Sequence, residues 1–297
     1  MGIQASGDDL QFSEIQTEFG GSNPISASEY YAGGSLVPAG AGSVASSGQW
    51  TISDMYGAEN YSALSASGGT VTTSGDYKFA KFTGSGTWTV ASIAGGAADN
   101  TIDFLTVAGG GCGGRRYHGT GGGGGGMITG TFEAAAQGYS IAIGGGASGT
   151  NNNGGNTTVT GRTTCLGGGH GSWEQQGSCS SGGSGGGGGC AGTSGQGTSG
   201  GGSAGGGKNS AGPGGAQAWQ SQGSFSGGGN GVSHYTGGVS GSGQSSPDGG
   251  TGGTGNANSG AGGGGSERGN GPGSPTRGQN GGTGGSGVVI FRWKFQN

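Results

Sequence analysis

Seventy-three of the chain's 90 glycines fall between Gly109 and Gly287. A stretch of that kind cannot build an ordinary core, because glycine has no side chain to bury. It also loses more backbone entropy on folding than any other residue. Order in such a segment has to come from main-chain hydrogen bonds. In the threefold, extended geometry shared by polyproline II and polyglycine II, glycine leaves each N–H free to donate sideways. Chains without Cβ atoms can then approach closely enough to bond to one another, and buried peptide groups must be paired. One net bond is worth about 1 kcal/mol against about 1–2 kcal/mol of backbone entropy per residue. A dense bundle is therefore the expected form, with Gly121–Gly126, Gly185–Gly189, Gly205–Gly207, Gly227–Gly229 and Gly262–Gly265 in its interior.

Several classes are excluded by composition. Six prolines and no strict Gly-X-Y period exclude collagen. The longest apolar run, Val288 to Phe291, is too short for a membrane helix, so no membrane insertion is expected. Residues 1–108 carry ten Asp/Glu and two Lys, and residues 109–297 carry eight Lys/Arg and four Asp/Glu. The resulting +4 on 189 residues is too dilute for nucleic acid. Gly202 to Lys208 matches a phosphate loop only superficially, because Asn209 stands where Ser or Thr is needed. The carboxylates Glu133, Glu174, Asp248 and Glu267 are isolated in sequence, so the flanking pair that glycoside hydrolysis needs is not evident. No reaction and no cofactor are expected. Cys112, Cys165, Cys179 and Cys190 form no CxxC pair and, with His118 and His170, match no known metal-site spacing, so free thiols are the first reading, with disulfides and then a metal as the alternatives.

The first 38 residues read differently. Ser13 to Gln16 fits a capping box with a stop at Gly20-Gly21, and Ser26 to Glu29 fits a second, stapled by Ile25 and Tyr30. Two short helices are expected, too short to be stable unless they dock on something. The whole stretch from Leu10 to Pro38, LQFSEIQTEFGGSNPISASEYYAGGSLVP, resembles a segment near the N-terminus of many tailed-phage structural proteins. That resemblance implies a virion-attachment segment over residues 1–38, with Phe12, Ile15, Phe19, Ile25, Tyr30 and Tyr31 as its attachment residues.

Residues 39–76 are small and polar and read as a linker or small extension, with Trp50-Thr51-Ile52 as a candidate strand. From Tyr77 onward, period-two alternation marks strands at 77–82, 86–90 and 101–107, shorter ones at 127–132, 139–143 and 157–160, and a closing strand at 288–294. These segments hold most of the bulky apolar residues, which suits a small β-sandwich from which glycine loops emerge. The fold class expected is mainly β: a sandwich over residues 77–297, carrying a polyglycine II bundle at 109–287, behind short N-terminal helices. FTGSGTWTV, IDFLTVAGGGCGG, GGGGGGMITGTF, YSIAIGGGASGTNNNGGNTTVTG and GGTGGSGVVIFRW, in that order, resemble the glycine-rich domain of phage tail fibres and their tip adhesins. The N-terminal segment sets this chain apart from the separate tip subunit.

That second resemblance implies a virion fibre or adhesin, extracellular after release. It would be a homo-oligomer, with a trimer as one form. Its partners would be other tail or fibre proteins and a host surface receptor, either a glycan or an outer-membrane protein. Large side chains stranded between glycine runs are the receptor candidates: Arg115, Tyr117, His118, Trp173, Trp219, Phe225, His234 and Tyr235. The same aromatics could instead cap the bundle as small cores. A purely structural collar, neck or tail fibre is the alternative. An ice-binding protein would need a regular Gly-X-X repeat with small residues on one flat face, which the Trp- and His-bearing segments interrupt.

Overall fold

A computed structural model describes residues 3, 10–23, 26–34, 36–37, 44–49, 51–56, 58, 63–94, 100–115, 119–172, 179–183, 217–229, 251–266 and 280–295. The protein is mainly β. Its strands are β1 (Ser65–Ser67), β2 (Thr70–Ser74), β3 (Tyr77–Phe82), β4 (Gly86–Ser92), β5 (Thr101–Val107), β6 (Met127–Glu133), β7 (Gly138–Ala142), β8 (Thr158–Val159), β9 (Gln217–Ala218), β10 (Ser224–Phe225) and β11 (Val288–Lys294). Two antiparallel sheets, in the orders β1-β4-β7-β8 and β2-β3-β11-β5-β6, face each other, and β9 and β10 form a separate hairpin. The alternation seen in the sequence decides which side chains face inward. Trp88 and Val90 of β4 are buried while Thr87 and Thr89 are exposed, and Tyr139 and Ile141 of β7 repeat the pattern. Trp88 stacks on Phe291 of the other sheet, with centroids 4.4 Å apart, and also meets Tyr139 and Trp293.

β11 lies between β3 and β5, so Phe291 sits opposite Ala80 on one side and Phe104 on the other. Its residues 289, 291 and 293 face the sandwich core. Residues 288 and 290 join Phe79, Leu105, Val107 and Met127 on the outer face. Burial on both faces explains why β11 reads as a continuous apolar run rather than an alternating one. The last strand of the chain thus occupies a central place in the larger sheet.

Residues 39–76, expected as a linker or a small extension, supply residues to two packing units. Val44, Met55 and Ala58 pack with Ile15, Phe19, Tyr30 and Val37 in a separate N-terminal cluster, while β1 and β2 sit on the edges of the two sheets. Gly68 and Gly69, at φ +111° and +67°, turn the chain from one sheet to the other where no side chain could fit. The strand expected at Trp50-Thr51-Ile52 is replaced by a 3-10 turn over Ile52–Met55, capped by Asp54, whose carboxylate accepts from the Thr51 N–H at 2.7 Å. Trp50 itself lies outside the described residues. The first helix, α1 (Phe12–Phe19), begins earlier than Ser13 suggested. Gln11 is its N-cap, and the Glu14 carboxylate accepts from the Gln11 N–H at 2.8 Å. The second helix is a single 3-10 turn, Ala27–Tyr30, with Ser26 at its N-cap as expected.

Candidate functional site: the outer end of a glycine lattice

Beyond β5 the chain enters the lattice, and the segment Gly109 to Gly114 runs through its middle. Successive N–H groups donate in rotation to three neighbours. Gly109 and Cys112 donate to Gly155 and Asn152, Gly110 and Gly113 to Gly285 and Gly282, and Gly111 and Gly114 to Gly123 and Thr120, at 2.7–3.3 Å. The partner number falls by three each time the donor number rises by three, so all three neighbours are antiparallel. The carbonyls serve three further segments. Gly109 and Cys112 accept from Gly168 and Gly171, Gly111 and Gly114 accept from Gly263 and Ser266, and Gly110 accepts from Ala147. Six neighbours reached with a period of three is the hydrogen-bond pattern of polyglycine II. The run 119–126 repeats it: Gly119, Gly122 and Gly125 donate to Ser266, Gly263 and Gly260, and Thr120, Gly123 and Gly126 donate to Ser172, Gly169 and Leu166.

Of the runs expected inside the bundle, 121–126, 227–229 and 262–265 are there. The runs 185–189 and 205–207 lie outside the described residues, as do Gly202 to Lys208. The central run, Gly109 to Gly114, is hidden in the sequence because Cys112 interrupts its glycines.

One end of the lattice continues into β5, β6 and β11 through Ala108, Gly126 and Gly287. The other end is closed by hydroxyl residues. Ser266 N–H donates to Gly114 O, Gly119 N–H to Ser266 O, and Thr120 N–H to Ser172 O. Ser172 N–H also donates to Thr120 Oγ1 at 2.8 Å. Thr120, Ser172 and Ser266 are all buried. At the rim of a lattice fewer backbones crowd each position, so a small side chain fits and can satisfy a peptide group that has run out of neighbours.

Four intervals outside the described residues, 116–118, 173–178, 230–250 and 267–279, are flanked by residues at this same end. Arg115 comes directly after Gly114 and is half-buried. Ser172 and Ser266 precede two of the intervals, and Gly252, just after a third, donates to Asn280, the first residue after the fourth, at 3.1 Å. Tyr117, His118, Trp173, His234 and Tyr235 belong to these intervals and lie outside the described residues.

The remaining candidates are elsewhere. Phe225 is buried on the outer face of the larger sheet with Leu105, Met127 and Ile290, and Trp219 packs against the same cluster. Both contribute to the packing of hairpin β9–β10 on the larger sheet, with Trp219 only partly buried. The N-terminal set divides in the same way. Ile15, Phe19 and Tyr30 are interior to their cluster, Tyr31 donates its hydroxyl to Gly48 O, and Phe12 is 42% exposed. Ile25 lies outside the described residues.

A family model described as a glycine-rich domain matches residues 82–294. The chain belongs to this glycine-rich domain family. No curated protein matches the sequence. The match starts at the end of β3 and ends at the last residue of β11, so the glycine-rich domain includes most of the sandwich along with the lattice.

Within the glycine-rich domain, Cys112 and Cys165 are buried free thiols, and Cys190 lies outside the described residues. Burial pushes the Cys112 thiol up and the Cys165 thiol up to about 11. An ordinary thiol, at about 8.5, ionises in mild alkali. A raised thiol pKa means that the folded state holds its proton longer than the unfolded one, so the associated stability is present below the ordinary value and is lost as pH rises through about 11. Native protein should therefore leave Cys112 and Cys165 unlabelled by a maleimide or iodoacetamide at neutral and mildly alkaline pH, and denaturant should expose both. Labelling of Cys165 in native protein as fast as in unfolded protein would contradict this burial.

Proposed function

We propose that the chain is a fibre or adhesin of a phage virion, held to the particle at its N-terminal unit and presenting host-recognition segments at the outer end of the glycine lattice. The observation that carries this reading is the flanking of four side-chain-bearing intervals by residues at one end of a rigid backbone lattice. A scaffold that fixes loop ends while leaving loop sequence unconstrained suits recognition. Aromatics with arginine, as in Arg115-Arg116-Tyr117-His118, suit binding to a glycan or a protein. Residues 1–77 hold eight Asp/Glu and no Lys, Arg or His, and Phe12 is exposed there. Those features suit docking to a basic face of another tail protein. The role is binding, without a cofactor or a reaction, and the working form is a homo-oligomer.

Alanine at Trp173 or Tyr235 should reduce adsorption to host cells by about thirtyfold, the effect of a hot spot worth about 2 kcal/mol, with the melting temperature unchanged. Alanine at Trp219 should lower the melting temperature and leave adsorption per folded molecule intact. Removing residues 1–58, the whole N-terminal cluster, should keep the chain out of particles. If Trp173 and Tyr235 variants adsorb normally while the truncated chain is lost from particles, a structural collar, neck or tail fibre becomes the better reading.

A further inference from the structure

We propose that Asn280–Gly281 is a self-modifying site at the outer end of the lattice, converting by ring closure to an aspartyl or isoaspartyl residue while Asn153–Gly154 is protected. In an asparagine followed by glycine, no side chain shields the next backbone nitrogen. At Asn280 the Gly281 nitrogen attacks Cγ, a new N–C bond forms, and the Cγ–Nδ2 bond breaks. The side-chain nitrogen leaves as ammonia with the proton released from the Gly281 N–H. Water then adds to one of the two ring carbonyls and opens the succinimide to aspartate or isoaspartate.

The two described Asn–Gly pairs share this chemistry and differ in restraint. At Asn153 both reacting ends are held. Oδ1 accepts from His170 N–H at 3.0 Å and Nδ2 donates to Ser180 Oγ at 2.8 Å. Gly154 N–H donates to Gly168 O at 2.8 Å. Ring closure there requires the lattice to open first. Asn280 is exposed, and neither its side chain nor the Gly281 N–H makes a hydrogen bond among the described residues. Among the described residues a single bond restrains its backbone, from Gly252 N–H to its carbonyl at 3.1 Å.

The product matters because the next two residues are tightly packed. Gly281 lies against the central segment so closely that a Cβ there would land on Gly113 O. Gly282 is bonded to both Gly113 and Gly264. An isoaspartyl linkage inserts one carbon into the backbone just ahead of these contacts, and it places a carboxylate at the end of the lattice. The Gly252–Asn280 bond is the first contact to give way. This site would alter slowly in water with no enzyme involved, and the proposal stands whether or not that end of the molecule binds a receptor.

The test is peptide mapping of the full-length protein, incubated in mildly alkaline buffer, with fragmentation that separates aspartate from isoaspartate. Native protein should convert Asn280 at least about tenfold faster than Asn153, whose reaction waits on opening of the lattice. In denaturant the two rates should become similar. Aged protein should melt at a lower temperature than Asn280→Asp, which carries the charge without the extra carbon. Equal rates in native protein, or an unchanged Asn280 while the denatured control converts, would overturn the proposal.

Discussion

A chain ending at Gly287 should show no cooperative unfolding transition and should lose the strand signal of the larger sheet in circular dichroism. Val288, Val289, Ile290 and Phe291 are fully buried and Trp293 nearly so. At about 1.5–3 kcal/mol for each large buried side chain, β11 contributes on the order of 10 kcal/mol, comparable to the whole stability of a typical domain. The loss is structural as well as energetic. Without β11, β3 and β5 have no shared neighbour, and Trp88 loses Phe291 and Trp293. Both pairings of β11 are with strands that come before the lattice and lie far from β11 in sequence, so the sheet is completed after the glycine-rich stretch has returned to it. A truncated chain that still melted cooperatively at a similar temperature would mean that the four remaining strands suffice.

The lattice makes a sharper forecast, because two glycine sites in it should respond to alanine with opposite sign. At Gly113 a Cβ would land on the carbonyl oxygen of Gly264, a main-chain atom that cannot rotate away. Gly113→Ala should cost about 3 kcal/mol, at the upper end for overpacking, since several segments have to move together. At Gly145 nothing lies within 4 Å of the same added atom, and φ is not in the left-handed region. Gly145→Ala should be neutral or raise stability by about 0.4–1 kcal/mol, by narrowing the unfolded ensemble. Denaturant melts of the two variants test this directly. If Gly113→Ala is as stable as the parent, the packing described around the central segment is wrong.

The strands from β3 to β8 and β11 were legible because each has a two-residue alternation or forms a short apolar run. β1 and β2 were not. Their residues, Ser65-Ala66-Ser67 and Thr70 to Ser74, are mostly exposed edge positions with little apolar signal, and it is pairing with β4 and β3 that makes them strands. The N-terminal cluster was half legible. Capping residues marked the helices, but Val44, Met55 and Ala58 sit singly in polar sequence and become core only through distant packing. At the outer end of the lattice a signal was present and missed. Thr120, Ser172 and Ser266 each adjoin a glycine-containing run next to one of the side-chain-rich intervals, and the structure brings all three together. The packing of Trp219 and Phe225 on the larger sheet was not legible, because an aromatic between glycine runs looks the same in sequence whether it faces solvent or packs on a sheet.

The rotation of donors along Gly109 to Gly114 also limits how such a molecule can change length. Each residue advances the direction of its N–H by about a third of a turn. A single inserted residue within an arm would aim every later donor at the wrong neighbour, whereas three inserted residues would restore the phase. Arms that face one another would have to grow by the same number of triplets to keep their partners. Drift in the spans between arms carries no such rule, since those residues lie outside the rotation. The backbone lattice therefore separates two kinds of variation: quantised steps in reach, set by the geometry of the peptide unit, and unrestricted change in what is held out at the end.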